Sequence, residues 1–290
     1  MVHTAQSGYS LTEPGCGGYD GRVMEHKKKM PRTWALLLCV YAGLHAAVAQ
    51  AEPLTLATGE LPPYASEQSP DQGIALDIVR RAFALSGYEV SYVFKPWMRS
   101  LEEAREGTWD GTAHWGRNPE RDVGFLISDS ILTEQWVFVY RDDAAATLRF
   151  DWKKLAELAA LRMGAVRFNS YTPEFWALQK SGTLKVDFAK DDLTNLRLLV
   201  GGRVDVVPME RNTACFLMKT QFSAGEVAQL RAHPRLLTDQ FTTHLMLSKK
   251  LPQSEQRMKA FNQGLRIVQK SHLYSERLVQ TGCSLNTVRK

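Results

Sequence analysis

Beyond residue 51 the chain alternates short apolar runs with segments whose apolar residues recur at helical spacing. Leu54 to Thr58 has the length of a strand. Ile74 to Ser86 sets Ile74, Ile78, Ala82 and Leu85 on one helical face, with Arg80 and Arg81 opposite and Gly87 as a stop. Val90 to Phe94 reads as a strand, Trp97 to Glu106 as a helix ended by Gly107, and a further strand is expected near Thr112. The order repeats after the segment that ends at Trp152. Leu155 to Ala160 is helical, Arg162 to Val166 a strand, Tyr171 to Ser181 a helix, Lys185 to Phe188 a strand, Leu193 to Val200 a helix and Val204 to Met209 a strand. Such alternation predicts an α/β fold of two lobes, each a mostly parallel sheet flanked by helices. The apolar runs at 136–143 and 242–250 serve as the two strands that cross between lobes. Two closing helices, Glu255 to Gln269 and Leu273 to Thr281, then return to the first lobe.

The first 51 residues follow other rules. Lys27, Lys28, Lys29 and Arg32 precede an apolar run from Trp34 to Val48, and Ala49-Gln50-Ala51 supplies small residues for cleavage. This is the pattern of a secretory signal peptide, cut near Ala51, with residues 1–23 as an upstream extension. About 15 apolar residues fall short of the roughly 20 that a membrane-spanning helix needs. Leu38 before Cys39 is too large for a lipoprotein site. The organisation expected is therefore 1–51 extension and signal peptide, 52–141 first part of lobe 1, 142–241 lobe 2, and 242–290 return to lobe 1.

Charge narrows the partners. Five basic and three acidic residues leave with the leader, so totals of 36 and 31 fall to 31 and 28. A net charge of +3 without a dense basic stripe gives no footprint for nucleic acid. Cys215 and Cys283 remain in the exported chain. Their wide separation supplies no disulfide framework, and they read as two separate thiols, with a bridge the alternative.

Candidate chemistry concentrates in loops after strands, where open α/β sheets place their ligands. Asp110 to Ser130 sets Arg121 in a turn, behind Asn118 and Pro119, between two strand-like runs. A guanidinium there is placed to fork onto a carboxylate. This segment, with its "DG", "NPER" and "FLISDS", resembles the bacterial extracellular solute-binding proteins of family 3, the periplasmic receptors of polar amino-acid ABC transporters. The likeness runs over residues 52–290 and ends in "SHLYSERLV". It implies the two-lobed, type II periplasmic-binding-protein fold with a two-strand hinge. It also implies a monomer in the periplasm that closes on a small amino-acid-like ligand and serves an ABC permease in the inner membrane.

The resemblance carries roles onto particular positions. Arg121 takes the ligand's α-carboxylate. In "LLVGGRVDVVPMER", Glu210 takes the ammonium from the opposite lobe, one methylene longer than the family's aspartate, while Asp205 serves the fold. Tyr64 either packs on the ligand or plugs its loop. Trp97 lies near the pocket, its face suited to an ammonium or apolar group, whereas Arg99 is solvated. Ala113, His114, Trp115 and Gly116 stand where relatives carry small hydroxyl residues, which makes the pocket bulkier and more aromatic. Ser170 contacts the ligand or caps the next helix beside Asn169 and Tyr171, and Phe168 replaces a usual glycine.

Two other function classes stand beside this one. Some members of the superfamily dehydrate cyclohexadienyl acids, and Glu210 with His114 offers similar proton chemistry. A sensory receptor without a permease is the third. No nucleophile elbow, phosphate loop or metal triad is present in the sequence, so no cofactor is implied.

Overall fold

The computed structural model describes residues 51–121, 123–142, 152–167 and 169–280. The leader, Phe168 and Cys283 lie outside the described residues. In the first lobe, β1 (Glu52–Thr58) pairs in parallel with β2 (Tyr88–Phe94) and β3 (Gly111–Gly116). Helices α1 (Ile74–Ala84) and α2 (Trp97–Arg105) connect them. In the second lobe, β6 (Arg162–Val166) pairs in parallel with β7 (Lys185–Ala189) and β8 (Val206–Glu210). There α3 (Pro173–Lys180) and α4 (Asp192–Val200) make the connections.

Two long strands join the lobes. β5 (Leu132–Arg141) and β9 (Leu230–Ser248) run antiparallel to each other, so the strand order β2-β1-β3-β9-β5-β8-β6-β7 is continuous. The short β4 (Phe125–Ile127) pairs with β9 outside this path. Each lobe has its own core. Leu54, Leu56, Ile78, Phe83, Leu132, Leu245 and Phe261 pack together in the first. In the second, Phe138, Met163 and Phe175 pack on one face of the sheet and Val139, Leu196 and Leu217 on the other. Opposite faces of β5 thus feed two apolar clusters, as strand alternation requires.

Helix α7 (Ser254–Gln269) brings Phe261 and Leu265 into the first core after β9 has left the second lobe. Arg257 on α7 fixes this return, because its buried guanidinium donates to Glu52 and to Asp110, the latter at 2.6 Å. Asp110 in turn accepts from the Thr55 amide at 2.7 Å. The last described helix, α8 (His272–Gln280), follows it. No helix among the described residues is long and apolar enough to cross a membrane.

The sequence pattern left out several elements. α5 (Arg211–Gln221) and α6 (Ala224–Ala228) occupy a stretch it had not placed. Buried Ala214, Leu217 and Met218 give α5 a core face, but Asn212, Thr213, Cys215 and Thr220 break up its apolar stripe. β9 begins twelve residues before the run expected at 242 and carries Pro234 within it. The strand tolerates it at an irregularity, where Ala232 to Leu236 faces only Val139 to Val137 of β5. The reading of Cys215 as a separate thiol is corrected: it is disulfide-bonded.

The packing of α7 on α1 depends on Gly264, where an added Cβ would sit 2.0 Å from the Ala82 carbonyl oxygen. A backbone atom cannot swing aside as a side chain does. Gly264→Ala is expected to lower unfolding free energy by about 2 to 3 kcal/mol, read as a lower urea midpoint at unchanged slope.

Candidate functional site

A cleft of about 1190 Å³ separates the two lobes. Its first-lobe wall is made by Glu60, Leu61, Pro62, Trp97 and the run His114 to Gly116. Glu134, Trp136, Phe241 and Thr243, all on the crossing strands, also line it. The second lobe contributes Arg167, Asn169, Ser170, Phe188, Lys190, Asp191, Asp192, Thr213 and Phe216.

A backbone irregularity places His114. On β3, Thr112 pairs with Met246 and Trp115 with His244, so three steps face two and one residue is extra. His114 takes up the excess with φ of +67°, a left-handed conformation that costs a non-glycine residue on the order of 1 kcal/mol or more. The bulge aims its ring at the cleft. There the imidazole stacks on Tyr64 at 5.1 Å between centroids, and Nε2 lies 3.2 Å from Glu134 Oε1. This contact is close but not aligned as a hydrogen bond, and His114 Nδ1 also has no hydrogen-bond partner.

Glu134 occupies an inward slot of β5, in alternation with buried Leu132 and Trp136. Its Oε2 accepts from Trp136 Nε1 at 3.1 Å, while Oε1 has no aligned donor. Trp136 pairs directly with Glu210 on β8, so Glu134, Trp136 and Glu210 share one face of the sheet. Glu210 ends its strand and caps α5, its Oε2 accepting from the Thr213 amide at 2.7 Å. Burial first, then the charge of Glu134, push the Glu210 carboxyl up to about 8. Tyr64 adjoins the same carboxyl. Its hydroxyl also accepts from Asn212 Nδ2 at 2.8 Å, a contact between the two lobes, and burial raises its phenol.

The aromatic wall rests on glycine. A Cβ at Gly59 would come within 2.5 Å of the Trp97 indole, so only a bare backbone leaves the ring its place. Trp97 donates to the Glu60 carbonyl at 3.2 Å and meets Trp115 edge-on at 5.0 Å. Arg121 stands behind this wall and does not line the cleft. Its guanidinium donates to the Gly116 carbonyl and lies 4.6 Å over the Trp115 ring.

Across the cleft, Thr172 caps α3 by accepting from the Phe175 amide at 3.1 Å. Ser170 is thereby relieved of capping and lines the cleft. Tyr171 is buried behind it, edge-on to Trp136 at 5.4 Å, its hydroxyl accepting from the Val166 amide at 2.8 Å. Arg167 lies over Phe188 at 4.5 Å. Asp191 caps α4, and burial, followed by the charge of Asp191, lifts Asp192 to about 7.

Of the residues singled out from sequence, Trp97, His114, Trp115 and Ser170 line the cleft, whereas Tyr64, Arg121, Tyr171 and Glu210 lie behind its surface. Arg121 and Glu210 are not brought face to face across open space. Asp205 holds Arg162 at 2.6 Å, and Arg99 pairs with Glu103 at the surface. Glu134, Arg167, Asp192, Thr213 and Thr243 were missed. Glu134 carried a signal, a glutamate in an inward position of the alternation, but it fell outside a strand read from Trp136 onward. Among the described residues no cluster of His, Cys, Asp and Glu is arranged to hold a metal ion.

The model of the bacterial extracellular solute-binding proteins, family 3, matches residues 54–279. No curated protein matches the chain in sequence. Among solved structures, an ancestral arginine-binding protein bound to arginine is 15% identical with a TM-score of 0.65, covering 81% of this chain and 100% of its own. An arginine transport-system periplasmic binding protein from Legionella pneumophila is 14% identical with a TM-score of 0.64, covering 80% and 100%. The Bordetella pertussis BvgS VFT2 domain is 17% identical with a TM-score of 0.64, covering 79% and 93%. At such identities the likeness shows the two-lobed fold alone.

Glu210 couples this site to stability. Its folded value near 8 exceeds its ordinary 4.5, so the folded state holds an extra proton between those pH values. The contribution is whole below about 4.5 and is lost as pH rises towards 8. Asp192 acts in the same sense from 3.8 to about 7. Urea midpoints of the protein are therefore expected to fall from pH 5 to 8, and Glu210→Gln to flatten the portion between 7 and 8.

Proposed function

The chain belongs to the bacterial extracellular solute-binding proteins, family 3, and from that premise we propose that it captures a small amino-acid-like solute in the cleft between its lobes. In this reading the protein is exported to the periplasm and delivers its guest to an ABC permease. One observation carries the proposal. The cleft presents buried polar atoms from several elements that have no hydrogen-bond partner: His114 Nδ1, Glu134 Oε1, Thr213 Oγ1 and Thr243 Oγ1. Leaving such an atom unsatisfied costs about 1 to 3 kcal/mol, a penalty that a guest supplying hydrogen bonds removes.

The aromatic wall of Trp97 and Trp115 suits the apolar part of such a guest. Family resemblance gives its carboxylate to Arg121. Because that guanidinium is engaged with Gly116 and the Trp115 ring, we assign the direct contact to Arg167 on the second lobe. Arg121 then keeps the wall in place. Binding across both walls draws the lobes together about β5 and β9, a hinge motion in which the guest supplies the bridging contacts. Two of the similar structures bind or transport arginine by their names, which is compatible with a small amino-acid guest.

A second reading has its own observation. A buried, proton-bearing Glu210 beside Tyr64 and near His114 suits a general acid, as in a cyclohexadienyl-acid dehydratase. Product formation from such an acid by the purified protein would replace binding with catalysis.

A thermal-shift screen of amino acids and related acids tests capture directly. A guest at 100 times its dissociation constant is expected to add about 2.7 kcal/mol of stability. The proposal fails if no amino-acid-like solute shifts the transition. With the guest found, Arg167→Ala is expected to weaken binding at least tenfold by calorimetry without lowering the urea midpoint. A larger loss in Arg121→Ala would return the carboxylate contact to Arg121.

A further inference from the structure

The cleft is unequal in charge. Glu60, Glu67, Glu134, Asp191 and Asp192 line it, against Arg167 and Lys190. Glu134 differs from the other acids in being only 2% exposed while lining the cleft with an oxygen that lacks an aligned donor. Glu210 is 1% exposed and shares its face of the sheet. Two carboxyl groups held this closely away from water do not both ionise at ordinary cost. The charged and titratable groups that face them are His114 from β3, Tyr64 from the loop after β1, and Asp192 from the start of α4. Among these only His114 can be a cation. Burial, then the charge of Glu134, keeps the proton on Glu210 up to about pH 8.

Resting on the solute-binding reading, we propose that the guest carries a terminal cationic group in addition to any α-ammonium, a second ammonium or a guanidinium, which docks on Glu134 and drives one proton from the buried Glu134–Glu210 pair into solvent. The positive charge of the guest replaces the positive charge of the proton. No covalent bond changes, and the balance is one cation in, one proton out. Trp97 and Trp136 line the cleft with Glu134, and Thr213 and Thr243 bring hydroxyl oxygens that have no hydrogen-bond partner. Two further features agree with this exchange. The raised Glu210 carboxyl supplies a proton that can leave near neutrality. The strained His114 backbone keeps the imidazole against Glu134 rather than in solvent.

Calorimetry of the full exported chain tests the exchange, with L-arginine, L-lysine and putrescine as cationic probes and L-glutamine and L-glutamate as controls. Each titration is run at pH 7 in phosphate and in Tris, whose ionisation heats differ. At least one cationic probe is expected to bind with about one proton released, and its affinity to rise up to tenfold per pH unit between 6 and 8. Glu134→Gln is expected to weaken that probe at least tenfold and to abolish the buffer dependence. Should this variant fold poorly, proton release by the unaltered protein still decides the matter. Binding of glutamine or glutamate without proton release, and of no cationic probe, would overturn the exchange and leave solute capture standing. A cationic probe that binds with equal heats in both buffers would overturn it as well. If none of the five binds, the exchange falls, and solute capture is decided by the wider thermal-shift screen.

Discussion

A carboxylate removed from water loses several kcal/mol of hydration unless partners replace it, and two side by side lose more. Glu134 and Glu210 are buried on one face of the sheet where the crossing strands meet the second lobe. Their surroundings answer that cost piece by piece: the α5 amides hold one oxygen of Glu210, the Trp136 indole holds one of Glu134, and the His114 ring stands 3.2 Å from the other. Retained protons and a bulged strand belong to the same arrangement. A solvated face would need neither of them.

This burial organises the cleft around its centre. The aromatic side chains that exclude water from the acids also form the walls available to a guest, and one glycine, Gly59, makes room for Trp97. Arg121 strengthens that wall from behind by stacking on Trp115 and holding the Gly116 carbonyl. Second-lobe chemistry comes from helix starts. Thr172, Asp191 and Glu210 each cap a helix, which leaves Ser170, Asp192 and Thr213 beside them for the cleft.

Periodicity made most of the fold legible, because each lobe repeats strand and helix patterns of ordinary length with glycine stops. It failed where local signals oppose tertiary context. Pro234 sits inside a strand, and polar residues on α5 obscure the face carried by Ala214, Leu217 and Met218. At the site, sequence reasoning found residues by loop position and resemblance, which located Trp97, His114, Trp115 and Ser170. It did not find Glu134, whose significance depends on facing inward beside Glu210, a juxtaposition of strands 76 positions apart. Nor did it foresee Arg121 behind the wall, since a turn in sequence does not specify which side of a neighbouring indole its guanidinium takes.

The crossing strands carry one more implication. β5 and β9 are hydrogen-bonded to each other across the junction, from Leu132 with Thr243 to Arg141 with Leu230. Paired in this way they form a ribbon rather than two separate tethers. A ribbon resists stretching and sliding in its own plane, because either would break its ladder, but it bends and twists at little cost. Relative travel of the two halves is thus confined to few degrees of freedom, and the irregular pairings at Glu134 to Val139 mark where the ribbon is most easily flexed.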